Sequence, residues 1–174
     1  MNIPGCFLCT EVSVYFHYRK KWSSMKLNRP LTATVYIIKA NKVLLHMHKK
    51  HKSLFPVGGH MLPYELPHET AIREAYEESG LNIELISNEK MLGMTRVKQL
   101  YNPRYTLLEN IGHEVENIDF IYFALADSHK VNPQKGESKD LYWMSREEIL
   151  QSDNIKEHIR IMALEALESC NEDE

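Results

Sequence analysis

The stretch that opens at Gly59 and closes at Leu81 constrains this chain more than any other part of it. Gly59 is followed after five residues by Glu65, and seven residues later by Arg73-Glu74-Ala75-Tyr76-Glu77-Glu78-Ser79-Gly80-Leu81. Pro67 suits the first turn of a helix and Gly80 the left-handed position just past its end, so the spacing predicts a helix over Pro67–Ser79. On that helix Glu74, Glu77 and Glu78 stand at i, i+3 and i+4 and share one face. Ile72, Ala75, Tyr76 and Ser79 are expected to point the other way, towards a core. Like charges at this spacing repel by a few tenths of a kcal/mol per pair. A stable fold has no need of that arrangement. Bound divalent cations relieve it, and an all-oxygen ligand set suits Mg²⁺ or Mn²⁺. A bare acidic run also fits a solvated helix face. What favours a site here is its company: Gly59, Glu65, Arg73 and Gly80. A glycine backbone can approach a metal or phosphate closely. Arg73 lies four residues before Glu77, where its planar fork can hold Glu74 or a neighbouring carboxylate in position.

The rest of the chain supplies mixed elements around this helix. Residues 32–40 are rich in β-branched and aromatic side chains and read as a strand. A turn at Asn41-Lys42 leads to a returning strand over 43–48. A short apolar segment, Leu54-Phe55-Pro56-Val57, ends in Gly58-Gly59. Further strands are expected over 82–87, 91–99, 118–125 and 142–144, with a helix from about Arg146 and a last helix over 155–168. Residues 1–28 read as an extension with a partly alternating strand pattern over 12–18. Residues 29–170 form the main domain, and 171–174 an acidic tail. Cys6 and Cys9 make one CxxC pair with no second pair at zinc-finger spacing, so plain thiols are favoured over a metal or redox role.

Composition removes several classes of function. With 174 residues the chain suits one domain with a core that needs no disulfides. A net charge of −3 lacks the basic surplus of a nucleic-acid-coating protein. No apolar run approaches the roughly 18–20 residues of a membrane span. Three cysteines and no charged, apolar leader make the cytoplasm the expected location.

The stretch from Gly59 to Leu81 closely resembles the Nudix box, G-x5-E-x7-R-E-U-x-E-E-x-G-U, where U is a bulky aliphatic residue. The one mild departure is Ala75, small for a U position. The resemblance implies a Nudix α/β/α sandwich, with a mixed β-sheet between helices. It implies hydrolysis of a diphosphate linkage in a nucleoside diphosphate derivative by water, with Mg²⁺ or Mn²⁺ as cofactor. The implied metal ligands are Glu74, Glu77, Glu78 and the Gly59 carbonyl, and Arg73 orients the carboxylates. Glu65 would play a structural or weak metal role, or complement the helix dipole. The general base is Glu74 or, on a later loop, Glu137. Glu109, Glu114, Glu116 and Asp119 are weaker candidates. Trp143-Met144-Ser145-Arg146-Glu147-Glu148-Ile149 resembles the W-x-S-x-E-E-[LI] found near the end of many Nudix domains.

The substrate is less legible. Subfamily positions downstream of the box hold Val97 where the ADP-ribose group has proline, and Tyr101 is shifted from the tyrosine of the dinucleoside polyphosphate group. Nucleoside triphosphates, ADP-ribose, nucleotide sugars and dinucleoside polyphosphates all stay open, as does a homodimer. The basic stretch His46 to Lys52, and His60 and His68 beside the box, could touch phosphate or simply be solvated. Tyr101, Tyr105 and His113 could stack on a base or pack under a loop. A Nudix-fold sensor that binds a nucleotide without cleaving it is the alternative function, although such modules usually lose a box glutamate and this chain has all of them. An isoprenoid diphosphate isomerase needs a cysteine ahead of the box, and the main domain has none before Cys170.

Overall fold

Two strands and the way they separate set the architecture. The computed structural model describes residues 28–48, 51–87, 89–90, 92–112 and 114–170. The extension with its 12–18 strand pattern and the Cys6/Cys9 pair therefore lies outside the described residues, as does the acidic tail. Strands β1 (Leu31–Lys39) and β2 (Lys42–His48) form a hairpin. Its turn is Ala40-Asn41, both at positive φ (44° and 59°), which matches the right-handed twist of the flanking strands. That is one residue earlier than the sequence suggested.

Past its turn the hairpin opens. Strands β3 (Ser53–Phe55) and β4 (Val57–His60) are one extended run interrupted at Pro56, which has no N–H to give to a ladder. β3 pairs with β2 through His46 and Phe55, whereas β4 pairs with β1 through Thr34 and Gly58 and through Ala33 and Gly59. The run thus passes between the two hairpin strands and delivers both glycines to the fork. Strand β7 (Val115–Ala126) lies parallel to β1 on its other side. Both β5 (Ile83–Leu85) and β6 (Tyr105–Gly112) pair antiparallel with β7, and β8 (Leu141–Met144) pairs with β2. Together they make one mixed, eight-stranded sheet.

Each face of the sheet has its own core. Helix α1 (Pro67–Ser79) buries Ala71 and Ala75 against Ala33, Val35, Ile37, Leu44 and Val57. Helices α2 (Arg146–Gln151) and α3 (Glu157–Ser169) cover the opposite face, where Ile149, Ile159, Met162 and Leu167 meet Tyr36, Ile38, Leu45 and Phe123. The expected α/β/α sandwich with a mixed sheet is the observed fold. Ala71 and Ala75, both fully buried, let α1 lie close on the sheet. Ala75, small for its box position, has this packing reason.

Two expectations are corrected. The strand expected over 91–99 is absent from the described residues there. Leu92 and Val97 are more than half exposed and Gly93 has φ 53°, so this apolar stretch buries neither face and runs as a loop. The strand forms later, as β6, in a segment the sequence left irregular. Ile72 and Tyr76 do not point into the core but are 41% and 52% exposed. The buried stripe of α1 runs His68, Ala71, Ala75, Ser79, and Ile72 and Tyr76 fall about 100° around the helix from it. No helix among the described residues is long and apolar enough to cross a membrane.

Candidate active site

The helix that carries the carboxylates is fixed at both ends. At its start the backbone N–H of Leu66 donates to Glu69 (3.1 Å), and Pro67 takes a first-turn position where its missing N–H costs nothing. At its end Gly80 adopts φ 73°, and its N–H donates to the Tyr76 carbonyl (2.9 Å). The β7–β8 loop then docks on the last turn. Asn132 N–H donates to the Ser79 carbonyl (2.7 Å) and Gln134 N–H to the Glu77 carbonyl (2.9 Å). A side chain at Gly80 would collide with the Asn132 backbone, its carbonyl carbon only 2.8 Å from an ideal Cβ. Glycine is needed there for conformation and for contact. The loop is held from its other end as well, where Met47 N–H donates to the Asp140 carbonyl (2.9 Å). Glu137 lies between these two anchors.

Arg73 organises the site. Its Nε and Nη2 donate to the two carboxylate oxygens of Glu65 (2.8 and 3.0 Å), a bidentate pair. Nη1 donates to Glu74 (2.8 Å) and Glu77 (2.9 Å), and Nη2 also reaches the His60 carbonyl (3.1 Å). Glu65 further accepts from the Leu62 N–H (3.0 Å) and the Thr70 hydroxyl (2.7 Å). The Arg73 guanidinium holds the Glu65 carboxyl down to about 2. The structure thus gives Glu65 a clamping role. Glu65→Gln is expected to lower the melting temperature at pH 7. A depressed carboxyl contributes stability above its ordinary value of 4.5 and loses it as pH falls towards 2. The gap between variant and wild type should therefore narrow in melts at pH 4 and pH 3.

The remaining carboxylates sit under strain. Glu78 reaches into the fork of the hairpin, where its carboxylate accepts from the Gly58 N–H (3.1 Å). Burial, with Glu74, Glu137 and Glu77 nearby, pushes its carboxyl up to about 7. Burial also raises Glu74, against the pull of Arg73, and Glu77 and Glu137 add to the rise. The backbone ties Glu137 to the end of α1: its N–H donates to the Gln134 carbonyl (3.1 Å), and Gln134 in turn is hydrogen-bonded to Glu77. Gly59 faces Glu74 so closely that an ideal Cβ would lie 2.6 Å from the carboxyl carbon. A side chain there would have to push the Glu74 carboxylate aside.

These residues suit a hard divalent cation. Glu74, Glu77, Glu78 and the Gly59 carbonyl offer only oxygen, and the carboxylates repel one another where burial already disfavours their charge. Among the described residues no three acidic or imidazole groups converge at ligand distance. Arg73 and the Gly58 N–H hold their oxygens instead, so binding would draw them inward.

Other residues singled out in the sequence are placed elsewhere. His68 is buried (5% exposed) and packs beside Tyr101, with ring centres 5.5 Å apart. Tyr105 donates its hydroxyl to Glu165 (2.6 Å), away from α1. Glu116 pairs with Arg29 (3.0 Å), and Asp119 is held by two threonines on the sheet face opposite α1. His46 is lowered by burial and by His48, and His51 packs against His48. Lys49, Lys50 and His113 lie outside the described residues. The Trp143 segment is structural: its indole donates to the His129 carbonyl (2.9 Å), and Ser145 and Glu148 form a reciprocal capping box for α2. Gly58, which the sequence reading left without a role, carries the N–H that anchors Glu78. Its position directly before Gly59 was the available signal.

A family model described as NUDIX domain matches residues 28–164. The crystal structure of a NUDIX-family hydrolase from Clostridium perfringens is 43% identical, covers 82% of this chain and 98% of its own, and superposes with a TM-score of 0.76. A MutT protein from Methanosarcina mazei Go1 (16% identity, 87% and 99% covered, TM-score 0.61) shares the fold. So does a MutT NUDIX hydrolase from Burkholderia pseudomallei (17%, 82% and 98%, TM-score 0.58). No curated protein sequence matches the chain significantly.

Proposed function

This chain belongs to the NUDIX family, and from that membership we propose that it hydrolyses a diphosphate linkage in a nucleoside diphosphate derivative, with Mg²⁺ or Mn²⁺ held by Glu74, Glu77, Glu78 and the Gly59 carbonyl. As a pyrophosphohydrolase it needs a nucleophilic water, a proton acceptor and a way to neutralise phosphate charge. A divalent cation supplies that neutralisation and makes the attacking water more acidic. The chain's own residues do the rest. Arg73 holds the carboxylates of Glu74 and Glu77 beside one another on α1. Glu137 accepts the proton of the attacking water, and its carboxylate then carries that proton away. Glu74 is the less favoured base because Arg73 and Gly59 confine it.

The observation that carries this reading is the placing of Glu74, Glu77 and Glu78 on α1 beside Gly59, with the loop that bears Glu137 docked on the last turn of the same helix. Three cysteines fit a cytoplasmic enzyme. The test is phosphate release from nucleoside triphosphates, ADP-ribose, nucleotide sugars and dinucleoside polyphosphates, each with Mg²⁺ and Mn²⁺. One substrate should dominate, and its turnover should vanish with chelator. Glu137→Gln should then lower kcat roughly a hundred-fold with KM little changed, the usual size of a lost general base. An unchanged kcat would move the base to Glu74. Tight nucleotide binding without turnover anywhere in the panel would instead favour the non-cleaving sensor.

A further inference from the structure

The segment between β5 and β6 inverts the usual order of a surface loop. From Leu92 to Leu100 every residue is exposed except Gln99, which is half-buried. Leu92 is 63% exposed, Met94 46% and Val97 61%. The amide of Gln99 explains the inversion. Its oxygen accepts from the Leu92 N–H (2.9 Å) and its nitrogen donates to the Lys90 carbonyl (3.4 Å), so it closes the neck of the loop from within. Gly93, at φ 53°, lies just beyond that neck. The loop is pinned to the first turn of α1, where Lys98 pairs with Glu69 (3.6 Å) and Tyr101 packs beside His68. It is a braced projection whose aliphatic side chains face water. Around α1, Ile72 and Tyr76 fall between the directions of His68 and Glu69, so these two exposed residues share the flank that faces the loop.

We propose that the loop over 90–101 and the adjoining flank of α1 form a docking surface for an anionic lipid bilayer, which the loop enters with Leu92, Met94 and Val97 while Lys90 and Arg96 meet the headgroups.

Charge and shape select this occupant. Residues 90–101 hold Lys90, Arg96 and Lys98 and no acidic residue, in a chain whose net charge is −3. Glu69 takes up Lys98, and the neighbouring Glu89 accepts from Asn102. Lys90 and Arg96 have no ion pair among the described residues. Basic residues set among aliphatic ones suit an anionic interface: the charges draw the surface close, and the apolar side chains bury below the headgroups. A second copy seated on the same loop would bring Lys90 and Arg96 against their own counterparts. A nucleic acid would reward the charges and the aromatic rings but leave leucine, methionine and valine in water. A protein groove would have to be both acidic and shaped to a projecting knob, whereas a bilayer yields to any shape. Docking by this flank also keeps the candidate active site open. Glu74 stands two residues from Ile72 and two from Tyr76, about 160° round the helix from each, so the carboxylates stay on the water side.

Co-sedimentation of the full chain with vesicles tests this, using phosphatidylcholine alone and phosphatidylcholine mixed with phosphatidylglycerol. The protein should pellet with the mixed vesicles and stay in solution with the neutral ones, and high salt should release it. Leu92→Ser with Val97→Ser should weaken binding roughly ten-fold or more, and so should Lys90→Ala with Arg96→Ala. Thermal melts of both double variants should match the wild type, because these side chains are exposed. Val97→Trp reads insertion directly: its emission should shift to the blue on mixed vesicles and be quenched by brominated lipid. Equal binding to both vesicle types, no binding to either, or binding that survives either double variant would overturn the proposal. A dimer in sedimentation equilibrium that Leu92→Ser with Val97→Ser dissolves would assign the surface to a second copy instead. Binding of RNA that is lost in Lys90→Ala with Arg96→Ala but kept in the serine variant, with no pelleting on vesicles, would assign the charges to a nucleic acid.

Discussion

Glu78→Gln is expected to lower turnover about a thousand-fold or more while leaving the protein folded. A cation on phosphate oxygens contributes several kcal/mol of transition-state stabilisation, and each 1.36 kcal/mol is a factor of about ten in rate. Glu78 is the most deeply placed of the helix carboxylates, inside the fork of the hairpin, and its carboxyl is already pushed up to about 7 by burial and by its acidic neighbours. A glutamine there keeps an oxygen for the Gly58 N–H and removes one charge from a crowded set. The amide is a poor ligand for a hard cation. The melting temperature in chelator should stay the same or rise, and the rise that Mg²⁺ gives the wild type should shrink or disappear. Stability and activity are thus expected to move apart. Steady-state kinetics with melts in chelator and in Mg²⁺ check both halves, and wild-type turnover in the variant would remove Glu78 from the ligand set.

Arg73→Ala should damage both properties. The guanidinium makes five hydrogen bonds, to Glu65 twice, to Glu74, to Glu77 and to the His60 carbonyl. It is 22% exposed, and Glu65 and Glu74 are less exposed still. Removing it leaves three carboxylates beside one another with no cation between them. Breaking a buried pair by deleting one partner costs about 3–5 kcal/mol, and this partly exposed one should cost about 2–4 kcal/mol. Denaturant titration reads that loss. Turnover should fall by roughly a hundred-fold or more even at saturating Mg²⁺, because carboxylates without a fixed geometry no longer present a preorganised set. Arg73→Lys should recover little of either. An ammonium group is a point charge and cannot fork between Glu65 on one side and Glu74 and Glu77 on the other. Full activity in the lysine variant would show that charge alone suffices.

What the sequence disclosed depended on whether the signal was local. The helix bounds at Pro67 and Ser79, the left-handed Gly80 and the shared face of Glu74, Glu77 and Glu78 follow from chemistry within a few residues. Each was legible for that reason. The Arg73–Glu65 clamp was less so, because eight residues and a loop separate them and only the folded loop turns the carboxylate back. The 91–99 stretch misled through composition: its apolar residues suit a strand, but nothing in the sequence reveals that they lie on the outside of a loop. Ile72 and Tyr76 misled in a related way. They are the large apolar residues of α1, yet the sheet takes the small ones, because a close-packed helix has room only for Ala71 and Ala75. Glu137 was named from its place ahead of the Trp143 segment, and its approach to the helix depends on a loop whose anchors, Glu77, Ser79 and Met47, are remote in sequence.

The parallel pairing of β1 with β7 has a consequence for how the molecule is made. Thr32 and Asp119 are neighbours in that ladder although 87 positions separate them. Closing so long a loop must precede the contacts that reward it, and topologies dominated by such pairings fold slowly. Helix α1, with its capping local and complete by Gly80, can take shape early. The loop bearing Glu137 can dock only after β7 has been laid down, since it leaves directly from that strand. A chain leaving the ribosome therefore holds its helix carboxylates together before the loop bearing Glu137 can dock on the end of α1.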